Sequence, residues 1–263
     1  MTTIVSRVRS LHTGATTAGL ALAALAALSL PAGAAAAPTI TGFKATVVPI
    51  PGFPGTGDHL GAGAEIDGEA KVLGSEYGGA PPPLIEGKVF GPAGLVLHPQ
   101  GFVTCAPTVL EQTGPSACPK KSIAGPKGFG VGVVSFAGER VQERASVQPF
   151  FAPGGSLEAF VEGSTPVSLE IVAVANIVKA SAPFGLEFSA QIPLIETVPG
   201  ALDASFIEGS LNVGAAYRRG RKTISYITLP RKCTPGGWPA KLELRFYGGA
   251  SAEASFRLPC PRS

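Results

Sequence analysis

The chain has 263 residues, of which 45% are hydrophobic and 15% are charged, and its formal net charge is +3. Glycine and proline account for 35 and 25 residues, but disorder also requires low hydrophobicity, so the composition argues against a disordered chain and predicts a packed core. The small net charge does not favour nucleic acid as a partner.

The first residues have the composition of a secretory signal. Arg7 and Arg9 give a positive start, an Ala- and Leu-rich apolar run follows, and small residues allow cleavage after Ala34 or Ala36. We therefore predict a signal peptide over residues 1–36 and a secreted or cell-surface protein without membrane contact after cleavage. An uncleaved anchor is the alternative, because the uncharged stretch is long enough to span a bilayer.

After the signal, the hydrophobic pattern has a period of two residues, which is typical of strands with one buried and one solvated face. The alternation is clearest in runs 43–47, 241–246 and 252–258, and Gly248-Gly249 between the last two predicts a hairpin turn. In chain order, the other predicted strands are 87–90, 129–136, 141–151, 157–161, 167–174, 186–192, 205–213 and 223–228. Frequent glycine and proline disfavour long helices.

Short strands separated by turn residues predict an all-β fold, either a closed antiparallel sheet or a sandwich. We expect an antiparallel β-sandwich of immunoglobulin-like or jelly-roll-like type. Two lobes are predicted, an N-terminal β lobe over residues 37–138 and a C-terminal β-sandwich lobe over residues 139–263. The division near Gly138 is not marked by a linker composition.

Charge is distributed unevenly along the mature chain. Residues 38–209 carry 9 basic and 16 acidic side chains, whereas residues 210–263 carry 10 basic and 2 acidic ones. A cluster of four cations surrounds a predicted hairpin tip and consists of Arg218, Arg219, Arg221 and Lys222. Our hypothesis is that this tip contacts a polyanion such as an acidic cell-envelope polymer. The preferred interpretation is a solvated hairpin that keeps the protein soluble or pairs with its own acidic lobe.

One stretch of the chain carries a recognisable motif. Its parts in order are Pro92-Ala93-Gly94-Leu95, Phe102-Val103-Thr104-Cys105, Ser116-Ala117-Cys118-Pro119 and Ser122-Ile123-Ala124-Gly125. The motif resembles one in a family of uncharacterised exported β-rich proteins of high-GC actinobacteria, although Ala93 separates the proline from the glycine here. The C-terminal segments Pro230-Arg231-Lys232-Cys233, Trp238-Pro239 and Pro259-Cys260 are similar to the closing part of that family. The resemblance implies export, β structure and locally paired cysteines, and it implies no activity.

The four cysteines stand 13, 115 and 27 residues apart along the chain. An even number in an exported protein favours disulfides, and zinc is disfavoured because its cysteine ligands usually lie about two to four residues apart. Four cysteines can pair in more than one way. The resemblance, together with the short loops that adjacent pairing closes, predicts the disulfides Cys105–Cys118 and Cys233–Cys260.

The sequence gives little support for a catalytic site. No Gly-x-Ser-x-Gly nucleophile elbow is present, and the two histidines of the mature chain, His59 and His98, are predicted to lie in solvated loops. We therefore predict no catalytic residue and no cofactor. Trp238 lies between Cys233 and Cys260 and is expected to pack on their disulfide rather than stack on a sugar.

Two further motifs have competing interpretations. A group of acidic residues, Asp58, Glu65, Asp67 and Glu69, is a candidate for calcium, which needs about six to eight oxygen ligands. The solvent-facing side of a strand is the preferred interpretation, so no metal site is predicted. The glycine pattern Gly128-x-Gly130-x-Gly132 lacks the spacing of a dinucleotide-binding loop, and we interpret it as a closely packed strand.

Three classes of function compete. The preferred interpretation is an exported, non-catalytic surface or wall-associated protein whose partner is a cell-envelope polymer or another surface protein. The second is a carbohydrate- or polyanion-binding module. The third is a secreted hydrolase, since paired carboxylates can lie anywhere in a sequence. A deep pocket with converging carboxylates would favour the hydrolase.

Overall fold

The computed structural model describes residues 37–50 and 60–260. The predicted signal peptide at residues 1–36 lies outside the described residues, and so do Asp58 and His59.

The described residues form mainly strands. In chain order the elements are β1 (Thr39–Pro49), β2 (Gly63–Leu73), β3 (Leu84–Pro92), β4 (Val96–Leu97), α1 (Pro107–Thr113), β5 (Gly128–Phe136), β6 (Glu139–Phe151), β7 (Leu157–Gly163), β8 (Leu169–Lys179), β9 (Phe184–Gln191), β10 (Ser205–Val213), β11 (Ala216–Arg219), β12 (Lys222–Ser225), β13 (Ile227–Thr228), β14 (Trp238–Phe246) and β15 (Ser251–Leu258). Short 3₁₀ turns occupy Pro115–Ala117, Lys120–Ser122, Pro153–Gly155 and Tyr247–Gly249.

Thirteen of the described strands form one antiparallel sheet. Its main path runs β1-β2-β10-β5-β6-β7-β8-β9-β3-β14-β15, and β13 links β2 to β4. The Phe43 ring of β1 lies 4.4 Å from the Phe256 ring of β15, measured between centroids, so the two ends of this path meet. Opposite walls of the curved sheet therefore face each other across an apolar interior, and the predicted all-β, antiparallel, sandwich-like fold is confirmed.

The period-two pattern of the sequence separates an inner from an outer face of the sheet. In β14 the inner residues Leu242 and Leu244 are buried, and burial of each leucine contributes about 2 kcal/mol. On the outer face, Lys88 of β3 and Glu187 of β9 form an ion pair of 3.2 Å. The predicted hairpin is confirmed, since β14 and β15 pair around a turn in which Gly248 has a φ of +80°.

The predicted lobe boundary near Gly138 falls in a tight turn between β5 and β6. Strand β5 pairs with β6 along its whole length, and all described residues belong to one compact unit. The predicted lobes, residues 37–138 and 139–263, contribute strands to the same sheet, because β3 lies between β9 and β14. Hydrogen bonds between strands that are distant in sequence join the two segments.

Both predicted disulfides are present. Cys105 bonds to Cys118, and Cys233 bonds to Cys260, with Cα–Cα separations of 5.4 and 6.1 Å. Each closes a short loop and restricts the unfolded chain, which typically stabilises a protein by about 2–4 kcal/mol. Two such bonds indicate an oxidising environment.

Helix α1 covers part of the outer face of the sheet. Pro107 stands at the start of the helix. A backbone N–H at this position would have no intrahelical acceptor, so proline costs no helix hydrogen bond there. Leu110 of the helix is fully buried and packs against Phe150 of β6 and Phe160 of β7. Among the described residues, no helix has the length and hydropathy needed to cross a membrane.

A cluster of large side chains closes one end of the interior. It includes Phe151, Tyr226 and Trp238, each of which is 3% exposed or less. The Trp238 indole Nε1 donates to the Lys232 carbonyl oxygen at 2.8 Å, and Cys260 packs against the same cluster. Trp238 is therefore a buried structural residue beside the second disulfide, as predicted.

Candidate functional site

The inner face of the sheet surrounds a cavity of about 470 Å³. Twelve of the described strands contribute residues to its wall. Two inner-face side chains, Val89 of β3 and Leu211 of β10, each keep 41% of their surface exposed, because the cavity leaves them without a packing partner. The volume lies within the range of about 300–1,000 Å³ that small-molecule sites occupy.

The cavity exists because small residues stand at inner positions of five consecutive strands. These are Gly130 of β5, Ala145 of β6, Ala159 of β7, Ala173 of β8 and Ala190 of β9. Gly130 pairs with Ala145, and Ala159 pairs with Ala173. The small residues are therefore neighbours on adjacent strands of the inner face. Larger apolar residues at these positions would fill the interior.

Of the carboxylates near the cavity wall, Glu143 of β6 is the one that strand alternation places on the inner face. It shares that face with Ala145 and Val147, lines the cavity, and is 3% exposed. Neither Oε1 nor Oε2 has a hydrogen-bond partner among the described residues. Such orphaned buried carboxylate oxygens are rare and call for an explanation.

Glycines on both sides make room for the Glu143 carboxyl group. Glu143 pairs with Gly132 of β5, which presents no side chain. On the other side, a Cβ on Gly163 of β7 would stand 3.1 Å from the Glu143 Cδ. The neighbouring strands therefore offer the carboxylate space and no donor.

Other carboxylates near the wall point away from the cavity. Glu69 of β2 faces outward and pairs with Lys44 at 3.2 Å. Glu158 of β7 lies on the outer face with Phe160, beneath α1, is 1% exposed and has no partner for either oxygen. Burial, with a smaller contribution from Glu111 of α1, raises the pKa of Glu158 to about 7. Because Glu143 and Glu158 occupy opposite faces, they do not form the converging pair of a glycoside hydrolase.

The segment between β9 and β10 runs along the end of the cavity nearer to Glu143. Ile192, Pro193 and Ile195 line the cavity, and the Arg140 guanidinium fastens the end of the segment by donating to the carbonyl oxygens of Leu202 at 3.3 Å and Asp203 at 3.0 Å. Leu202 is nonetheless 39% exposed, and the segment exposes further apolar side chains, Leu194 at 45% and Val198 at 41%. This rim therefore offers an apolar approach to the interior.

The predicted basic tip is a separate two-stranded hairpin. Strands β11 and β12 pair, with Arg219 opposite Lys222. All four cations, Arg218, Arg219, Arg221 and Lys222, are exposed. No carboxylate among the described residues lies within 4.0 Å of them. The hairpin is therefore free to meet an external anion.

The chain was also compared with known proteins. It matches no protein-family model, no curated protein and no solved structure.

The other residues that the sequence singled out are a histidine and the acidic residues of β2. His98 is partly buried, and its Nε2 lies 3.1 Å from the Thr228 hydroxyl oxygen. Glu65, Asp67 and Glu69 alternate along the outer face of β2, and no group of three or more potential metal ligands occurs among residues 37–50 and 60–260. Burial and a hydrogen bond with Asp67 raise the pKa of Glu65 to about 7.

The cavity and Glu143 were missed by the sequence interpretation. Two signals were present in the sequence: glycine at every second position of β5, and the spacing that puts Glu143 on the same face as Val141 and Ala145. The first was interpreted as close packing, which is correct at Gly128 but not at Gly130. A Cβ on Gly130 would meet only Val147 Cγ2, at 3.7 Å.

Proposed function

We propose that this chain is an exported, non-catalytic binding protein that holds an apolar small molecule inside the curved sheet. The observation that carries the proposal is the cavity of about 470 Å³ with an almost entirely apolar lining. Apolar walls of this kind bind by removing hydrocarbon surface from water. Export is supported by the two disulfides.

The size of the cavity argues against a packing defect. Empty apolar space in a protein interior lowers stability, and a cavity of about 470 Å³ leaves many apolar groups without packing partners. A bound apolar molecule offsets this cost and stabilises the folded state by mass action.

Titration with a neutral fluorophore that brightens in apolar surroundings tests the proposal. The wild-type protein should bind one equivalent, and Ala173→Phe should weaken binding by at least about tenfold, because the ring fills the space that the probe needs. Val178→Phe is the matched control, since Val178 lies on the outer face of the same strand and is 51% exposed.

The Val178→Phe variant should bind as wild type does. Absence of saturable binding to the wild type, or equal affinity of the Ala173→Phe variant and the wild type, would contradict the cavity function.

A second candidate function is binding of a polyanion by the basic hairpin. The observation in its favour is four exposed cations without acidic partners among the described residues. An acidic polymer of the cell envelope has the complementary charge, and another surface protein with an acidic patch is an alternative partner. Contacts between exposed charges are screened beyond about 8 Å at physiological salt, so this binding should weaken as salt rises.

Retention on immobilised polyphosphate tests the hairpin. Replacement of its four cations by serine should abolish retention at low salt, as in a variant with Arg218→Ser, Arg219→Ser, Arg221→Ser and Lys222→Ser. The matched control removes the same charge from four exposed lysines that are far apart in sequence, through Lys44→Ser, Lys71→Ser, Lys121→Ser and Lys179→Ser. If both variants elute together with the wild type, the hairpin is not a polyanion site.

A further inference from the structure

We propose that Glu143 binds a protonated amine, so that the ligand of the cavity is an amphiphile with an apolar body and a primary ammonium group. This inference rests on the proposed cavity function. It starts from Glu143 as a buried inner-face carboxylate, which lines the cavity, is 3% exposed and has two orphaned oxygens.

The protein itself does not satisfy this carboxylate. The flanking inner positions, Gly132 and Gly163, carry no side chain. The cations nearest in sequence are Arg140 and Arg144, and strand alternation turns both to the outer face. Arg140 donates to the segment before β10, whereas the Arg144 guanidinium carbon lies 4.3 Å from the centre of the Phe129 ring. The described residues therefore provide no hydrogen-bond donor to Glu143. A ligand in the cavity would supply it.

The chemistry of the carboxylate selects the ligand group. An ionised carboxylate only accepts hydrogen bonds, so its partner must carry N–H or O–H donors. A primary ammonium offers three donors and a positive charge, and charge-assisted hydrogen bonds are roughly twice as strong as neutral ones. A hydroxyl offers one weaker bond, and a ligand carboxylate would place a like charge beside Glu143.

The surroundings strengthen this preference. The lining beside Glu143 consists of apolar residues such as Ala145 and Val147, and a low local dielectric increases the attraction between opposite charges. The same apolar walls would hold the hydrocarbon part of the ligand. Shape and charge together therefore describe one class of molecule, a long-chain or polycyclic amine.

The experiment compares three ligands of equal chain length: dodecylamine, dodecanol and dodecanoate. Each displaces the neutral fluorophore from the full-length mature protein at neutral pH and below its micelle concentration. The wild type should prefer the amine over the alcohol by at least about tenfold, as expected for a hydrogen bond to a charged group, and should bind the carboxylate most weakly. Glu143→Gln should bring the amine and the alcohol to within about threefold of each other.

Glu162→Gln is the matched control, because Glu162 is exposed on the outer face of the neighbouring strand β7; its variant should keep the wild-type preference. Equal displacement by the three ligands in the wild type overturns the inference, whether or not the Glu143→Gln variant folds. An amine preference that survives Glu143→Gln also overturns it. Failure of the fluorophore to bind at all would instead remove the cavity function.

Discussion

Raising the pH through 7 should destabilise the protein, and Glu158→Gln should remove a large part of this loss. Glu158 is 1% exposed beneath α1, and neither of its carboxylate oxygens has a partner among the described residues. Burial and the nearby Glu111 carboxylate raise its pKa to about 7, from an ordinary value of 4.5. Above neutrality the folded protein must therefore hold an unpaired charge in an apolar layer.

The direction of the effect follows from linkage between protonation and folding. Because the pKa of Glu158 is raised in the folded state, the neutral acid is favoured there, and its contribution to stability is fully present below pH 4.5. That contribution disappears as the pH rises through about 7. A shift of this size corresponds to about 3 kcal/mol between the two extremes.

Urea denaturation at several pH values between about 4 and 9, with the disulfides intact, measures this effect. The free energy of unfolding of the wild type should fall over this range, and that of the Glu158→Gln variant should fall by about 3 kcal/mol less. Glu65, whose pKa is also raised to about 7, should leave some pH dependence in the variant. The exposed Glu162→Gln variant should follow the wild type, and parallel curves for wild type and Glu158→Gln would refute the prediction.

Local sequence patterns were sufficient to predict most of the long strands, and together with the family resemblance they predicted the disulfides. Period-two alternation depends only on the geometry of a single strand, so runs such as 241–246 and 252–258 could be assigned without knowing their partners. The hairpin between β14 and β15 follows from a short glycine turn. The pairs Cys105–Cys118 and Cys233–Cys260 lie close in sequence, and short loops bring such residues together at little entropic cost.

Long-range strand order could not be predicted in the same way. Strand β3 pairs with β9 and β14, which lie far along the chain, and the spacing of apolar residues does not select among such partners. Consequently the two predicted lobes, 37–138 and 139–263, could not be recognised as parts of one sheet. The cavity was inaccessible for the same reason, because it depends on which small residues of different strands become neighbours.

The inward position of Glu143 is difficult to recognise from the sequence because its neighbours are charged. The run 139–144 contains four charged residues and resembles a solvated strand end. Alternation nevertheless places Glu143 on the face of Val141 and Ala145. The outward positions Arg140 and Arg144 make the segment look polar as a whole, so only a face-by-face count would have identified a carboxylate on the apolar side.

The glycines of β5 should differ sharply in their tolerance of alanine. A Cβ on Gly128 would collide with the Ser210 carbonyl group, lying 2.8 Å from its carbon atom. Because this obstacle is backbone of the paired strand β10, relief requires the two strands to move apart. We expect Gly128→Ala to cost about 3 kcal/mol or more, in the range of severe overpacking.

Gly130→Ala is the matched control on the same strand and the same inner face. Its Cβ would stand at an ordinary contact distance of 3.7 Å from Val147 Cγ2 and would otherwise enter the cavity. Alanine also loses less conformational entropy on folding than glycine does, so the change in unfolding free energy should stay within about 1 kcal/mol and can be stabilising. Urea midpoints of the two variants measured side by side provide the test. Similar midpoints would show that β5 packs equally at both positions, which would contradict the open wall at Gly130 from which the cavity is built.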